Sequence, residues 1–141
     1  MIDEALLDAG EVAGDKWVLL TLASLSDGSK RFGDLIADLT SGRGAIAPNV
    51  LIDRLRRMER DGLLGAALYS VRPRRYAYEL TESGRELAQI LPILGSWAAR
   101  RAHGKPLRHA VCGGVLQPTM WCPTCATATS TADAQEELHW L

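Results

Sequence analysis

The chain is poor in what several large protein classes require. It has three cysteines, all between Cys112 and Cys125, too few and too bunched for the disulfide framework of a small secreted domain. No apolar run approaches the roughly 20 residues of a membrane-spanning helix. The opening MIDEALLDAGEV carries acids where a secretory leader carries a basic segment, so a cytoplasmic protein without a membrane partner is expected. There is no glycine-rich phosphate loop, no Ser/His/Asp constellation and no carboxylate pair set among apolar residues, and no enzyme is expected. Lysine and arginine are missing altogether after Arg108, which leaves Asp133, Glu136 and Glu137 to make the tail acidic.

What is present is an ordinary globular composition, 47% hydrophobic and 23% charged over 141 residues, enough for one domain and a small appendage. The expected division is 1–103 and 104–141. The net charge of −1 conceals a partition: eight arginines face three acids between Arg43 and Arg75. A near-neutral average therefore leaves room for a strongly basic face.

Periodicity supplies the framework. Ile2, Leu6, Ala9 and Ala13 predict a short helix that Gly14 interrupts, and Asp15 can cap a second, KWVLLTLASL, apolar nearly all round and so buried. Phe32, Leu35, Ile36 and Leu39 give a third helix with one apolar stripe. Pro48 suits the first turn of a fourth, whose Leu51, Leu55 and Met58 share a face before Asp61 and Gly62 stop it. At roughly 100° per residue, Asn49, Asp53, Arg56, Arg57 and Arg60 then lie opposite that seam. Leu63–Ser70 and Tyr76–Thr81 alternate as strands around VRPRR, predicting a β-hairpin tipped by Arg72, Arg74 and Arg75. Tyr76 and Tyr78, two apart, share a strand face and are read as packing residues.

Helix, loop, arginine-rich helix is the sequence form of a helix-turn-helix, and a basic hairpin beside it suits double-stranded DNA. Arginine offers a bidentate fork to guanine edges or phosphates, and a narrow minor groove attracts it. The plainer alternative is a solvated face paired with Asp53 and Glu59, serving protein contacts.

The segments GDKWVLLTL, RFGDL, APNVLIDRLRRMERDGLL, RPRRYAYELTESGRELA and LPILGSW, in this order, resemble the HxlR-type winged-helix transcriptional regulators over roughly 14–101. The resemblance implies a mainly α (α+β) winged helix-turn-helix with flanking dimerisation helices, a recognition helix at about 48–61, a wing at about 64–81, and a homodimer acting on a palindromic operator. The loop around Arg43 is a few residues longer than the family usually has, so Arg43 is given no DNA role. Many such proteins carry a sensing cysteine near the amino end; this chain has none before Cys112.

Leu87, Ile90, Leu91, Leu94, Trp97 and Ala98 make a stripe too wide for one small domain to cover, which suits a dimer interface. Pro92 inside it predicts one bent helix, with a local cost of about 3 kcal/mol. A dimer interface of this kind can also house a small-molecule effector. Finally, His109, Cys112, Cys122 and Cys125 follow H-x2-C-x9-C-x2-C, two ligand pairs resembling the knuckles of zinc ribbons. Four soft ligands suit a closed, structural Zn²⁺ site in a small hairpin. Thioredoxin-type chemistry at Cys122 and Cys125 lacks the surrounding βαβ pattern. Trp140 belongs to an apolar end, ELHWL, expected to dock as a short strand or helix; His103 and His139 are read as surface residues.

Overall fold

The computed structural model describes residues 2–42 and 44–129; Arg43, the acidic tail, His139 and Trp140 lie outside the described residues. Two compact units divide at Pro92 and Ile93.

The first unit follows the predicted order. α1 (Glu4–Ala13) is capped by Asp3, and α2 (Lys16–Leu25) by Asp15, whose carboxylate accepts the Trp17 N–H at 2.8 Å. α3 (Phe32–Thr40) buries Leu35 and Leu39; α4 (Pro48–Arg60) starts on Pro48 and buries Leu51, Leu55 and Met58, the seam expected from periodicity. Its end is a glycine stop: Gly62 takes φ +72°, and the Leu63 and Gly62 N–H groups donate to the Met58 and Glu59 carbonyls at 2.9 and 3.1 Å. The hairpin is β2 (Leu64–Val71) and β3 (Arg74–Leu80), turning at Arg72 and Pro73.

Two elements depart from expectation. A two-residue strand, β1 (Lys30–Arg31), pairs antiparallel with β3, giving a three-stranded sheet in the order β1-β3-β2. Two residues are too short to show alternation. The single bent helix is instead two, α5 (Glu82–Ala88) and α6 (Leu91–His103). Pro92 stands at the second position of α6, where its missing N–H would have no intrahelical acceptor, so the expected kink and its cost do not arise.

The core gathers Val18, Leu22 and Leu25 of α2, Leu35, Leu51, Leu55, Met58, Leu63, Leu64 and Leu80, all at most 5% exposed. Leu87 and Leu91 of the expected interface stripe pack against this core, whereas Ile90 is exposed. No described helix is long and apolar enough to cross a membrane.

Asp15 ties this core to the site. Its carboxylate caps α2 and also accepts from Arg54 Nε at 2.6 Å, fixing the rotation of α4 about its axis. Burial works to raise the Asp15 carboxyl, but the Trp17 N–H and the Arg54 guanidinium outweigh it and hold it below the usual carboxylate range. A carboxyl lowered on folding stabilises above its unfolded value, near about pH 4, and loses that contribution as pH falls through the folded value. Asp15→Ala is expected to cost about 1–2 kcal/mol in denaturant unfolding at neutral pH, and Asp15→Asn, which keeps a cap, to cost less. Equal stability of both variants and wild type would contradict this account.

In the second unit, β4 (Met120–Cys122) and β5 (Thr127–Thr129) form a two-stranded hairpin, and an isolated antiparallel bridge between Arg108 and Val115 closes a second turn.

Candidate nucleic-acid interface

With Leu51, Leu55 and Met58 in the core, the opposite face of α4 presents Asn49, Asp53, Arg56 and Arg60, all exposed. Arg56 and Arg60 make no ion pair among the described residues. Arg57 does not share their freedom. Its guanidinium donates to the Glu11 carbonyl of α1, and its Nε lies 3.7 Å from Asp61. Arg57 thus braces α1 against α4, a use that a helical wheel cannot reveal. Asp53 is exposed but bonded to Arg54 at 2.6 Å.

The hairpin stands beside this face. Ile52 and Arg56 of α4 and Ala66, Tyr76 and Tyr78 of the sheet line a shared cavity of about 500 Å³. Tyr78 packs half-buried against the core. Burial first, then the Glu59 carboxylate, push its phenol above the ordinary value, so it remains a neutral donor. Tyr76 is 40% exposed along the groove. Arg72, Arg74 and Arg75 are exposed at the hairpin tip and, like Arg56, form no ion pair among the described residues. A second cavity of about 500 Å³ brings Arg74 and Arg75 together with Arg31, Tyr69 and Ile52. Arg31 and Tyr69 escaped the sequence reading because β1 is too short to show alternation and the register shift between Leu68 and Ser70 takes Tyr69 out of the regular strand alternation.

Chemically, the surface offers guanidinium groups on two elements separated by an aromatic-lined groove. It contains the forks needed for phosphates and guanine edges. No arrangement of nucleophile and base accompanies it among the described residues.

The metal-ligand pattern is brought together in pairs. His109 Nδ1 lies 3.2 Å from Cys112 Sγ, and the Gly113 N–H donates to the His109 carbonyl at 2.8 Å. The Cys125 N–H, then the Cys125 thiol and the Thr124 N–H, hold the Cys122 thiol below its ordinary value. Gly113 at φ +70° and Ala126 at φ +50°, both in the left-handed region, each follow the second ligand residue of a pair, Cys112 and Cys125. Among the described residues, however, no group of three or more His, Cys, Asp or Glu side chains is gathered as one site.

Of the expected interface residues beyond the core, Ile90, Leu94 and Trp97 are exposed, Trp97 by 52% with Arg101 stacked 5.2 Å from its ring centroid. On α1, Ile2 and Leu6 are 67% and 65% exposed, an apolar stripe that the sequence reading did not assign to an interface.

Comparison with known proteins agrees with this geometry. Residues 12–105 match the family described as HxlR-like helix-turn-helix. The chain is 33% identical over 139 residues to an HTH-type transcriptional regulator of Mycobacterium tuberculosis, spanning 95% of this chain and 85% of the relative. It is 36% identical over 89 residues to the HTH-type transcriptional regulator YtcD of Bacillus subtilis, spanning 63% and 68%. The redox regulator HypR in its reduced form is similar in structure, with TM-score 0.62 and 29% identity over 70% of this chain and 95% of that one. A transcriptional regulator of the MarR family from Enterococcus faecalis V583 gives TM-score 0.60 and 33% identity over 74% and 93%.

Proposed function

The chain belongs to the HxlR-like helix-turn-helix family, and from that membership and the surface above we propose a DNA-binding transcriptional regulator that acts as a homodimer on a palindromic operator. α4 is the recognition helix and β2–β3 the wing. The observation that carries this reading is the set of exposed guanidinium groups of Arg56, Arg60, Arg72, Arg74 and Arg75 on two neighbouring elements, without ion pairs among the described residues and backed by a seam that leaves α4 one open face. Two recognition helices related by a two-fold axis would enter successive major grooves about 34–36 Å apart.

Support for a dimer comes from apolar side chains that the described residues leave uncovered, Ile2, Leu6 and Ile90 in the first unit and Ile93, Leu94 and Trp97 in the second. A cavity of about 640 Å³ in the first unit, lined by Leu25, Leu80, Ala88 and Leu91 with Glu79 and Arg85, has the size of a small-molecule pocket and supports control by an effector.

Salt dependence tests the assignment. If each half of a dimer makes several phosphate contacts, binding weakens steeply as salt rises, with log K falling by about 0.9 per contact for each decade of salt. A protein-contact module using the same face would show no duplex binding at low salt, and that outcome would overturn the reading.

For the C-terminal unit we propose a structural Zn²⁺ held by His109, Cys112, Cys122 and Cys125. The donors are of the right chemistry, each pair is already turned as a knuckle, and the left-handed Ala126 is a conformation that alanine adopts only where its surroundings enforce it. Bound there, the metal would fold and stiffen the unit and leave no open coordination position for chemistry. The full chain is expected to purify with one zinc per chain, and Cys122→Ser to lose it. Metal-free protein, or a Cys122→Ser variant with unchanged zinc, would contradict the assignment.

A further inference from the structure

The groove between α4 and the hairpin holds an arginine outside the recognition helix and the wing. Arg31 ends β1 and is exposed, with its guanidinium carbon 4.7 Å from the centroid of the Tyr69 ring. Tyr69 is the unpaired residue of a bulge, since Leu68 faces Tyr76 while Ser70 faces Arg75. A bulge re-aims a side chain that regular alternation would send elsewhere, and here the ring meets Arg31. Stacking on an aromatic face holds a guanidinium in place while leaving its N–H donors open.

Those donors have no ionic partner among the described residues. The one carboxylate lining the same cavity, Asp34, accepts the backbone N–H of Arg31 at 3.1 Å. Arg31 therefore joins Arg74 and Arg75 around one open cavity, with Ile52 of α4 on its other wall. A cavity lined by three arginines, one from β1 and two from the wing, has the charge to seat a phosphate.

We propose that Arg31 is a third DNA-contacting arm that grips a backbone phosphate between recognition helix and wing, and that Tyr69 is its positioning residue. This rests on the assignment of α4 and the wing as the DNA face. Such a contact orients the domain on the duplex and carries no base preference.

The test is equilibrium binding of the full chain to a fluorescent mixed-sequence duplex across a salt series. Arg31→Ala is expected to weaken binding at least about fivefold at low salt and to reduce the slope of log K against log salt by about 1.8, one contact from each half of a dimer. Tyr69→Phe, which keeps the ring, should bind as wild type. Tyr69→Ala should shift affinity and slope in the direction of Arg31→Ala and add little to it in the double variant. A merely structural role for Arg31 would lower thermal stability and leave the slope of the folded protein unchanged. If alanine at 31 prevents folding, Arg31→Gln gives the same reading. A wild-type slope for Arg31→Ala or Arg31→Gln beside a reduced slope for Arg74→Ala overturns the Arg31 assignment alone. Wild-type slopes for both overturn the DNA face itself.

Discussion

Replacing Arg56 and Arg74 together by alanine is expected to reduce affinity for an operator duplex about a thousandfold or more while leaving the fold intact. The two residues sit on different elements, α4 and β3, and each dimer loses four guanidinium groups. Taken at about 1 kcal/mol or more for each, the lower end for a base or phosphate contact, the loss amounts to roughly 4 kcal/mol. Both side chains are exposed and make no ion pair among the described residues, so stability should stay within about 0.5 kcal/mol of wild type. The combination separates binding from folding. Circular dichroism and duplex binding on one preparation check it, and a folded double variant with wild-type affinity would remove the functional assignment.

A second large effect is expected at Gly84, with a sign opposite to simple propensity. Alanine is favoured over glycine inside a helix by about 1 kcal/mol, which argues for stabilisation. The packing forbids it. A Cβ at Gly84 would stand 1.9 Å from the Leu63 carbonyl oxygen and 2.9 Å from its carbon. That carbonyl cannot retreat, because it accepts the Thr81 N–H at 3.1 Å while the Leu63 N–H donates to Met58 at 2.9 Å and its side chain is buried. Thr81 is pinned as well, since its hydroxyl donates to the Gly62 carbonyl and accepts the Gly84 N–H at 3.1 Å. Gly84→Ala must push α5 off the start of the hairpin, and the expected cost exceeds about 3 kcal/mol, above the usual range for overpacking. For a domain of this size that lowers Tm by more than about 12 °C. A Tm equal to or above wild type in a thermal scan would show that α5 does not pack as described.

Arg56, Arg74 and Gly84 illustrate what was legible in the sequence and what was not. The α4 seam could be read because Leu51, Leu55 and Met58 repeat at helical spacing, and the same arithmetic placed Arg56 and Arg60 outward. The cap at Asp15 and the stops at Gly14 and Gly62 were equally readable, since each rests on the local preference of one residue type. Contacts between elements distant in sequence left no such trace. Arg57 points outward on a wheel, yet Glu11, far away in the chain, receives its hydrogen bond. Arg31 meets Tyr69 only because β1 pairs with β3 and a bulge turns the ring toward it. Gly84 lies unremarkably in TESGRELA until Leu63 is packed against it. Pro92 departs from expectation for a related reason: the apolar stripe continues through Leu87, Ile90 and Leu91, while the backbone ends one helix at Ala88 and begins another at Leu91. The ligand pairs at 109–112 and 122–125 show the same boundary: each is formed by a local turn, and among the described residues the two pairs are not gathered as one site.

The account turns on whether this chain reads DNA as a two-fold pair of α4 helices and wings. Selecting bound duplexes from a random pool with the full chain, then sequencing them, tests that most directly. The account predicts an enriched inverted repeat whose half-site centres lie about 10–10.5 base pairs, one helical turn, apart. A selected pool no different from the input, or an enriched site without two-fold symmetry, would contradict it.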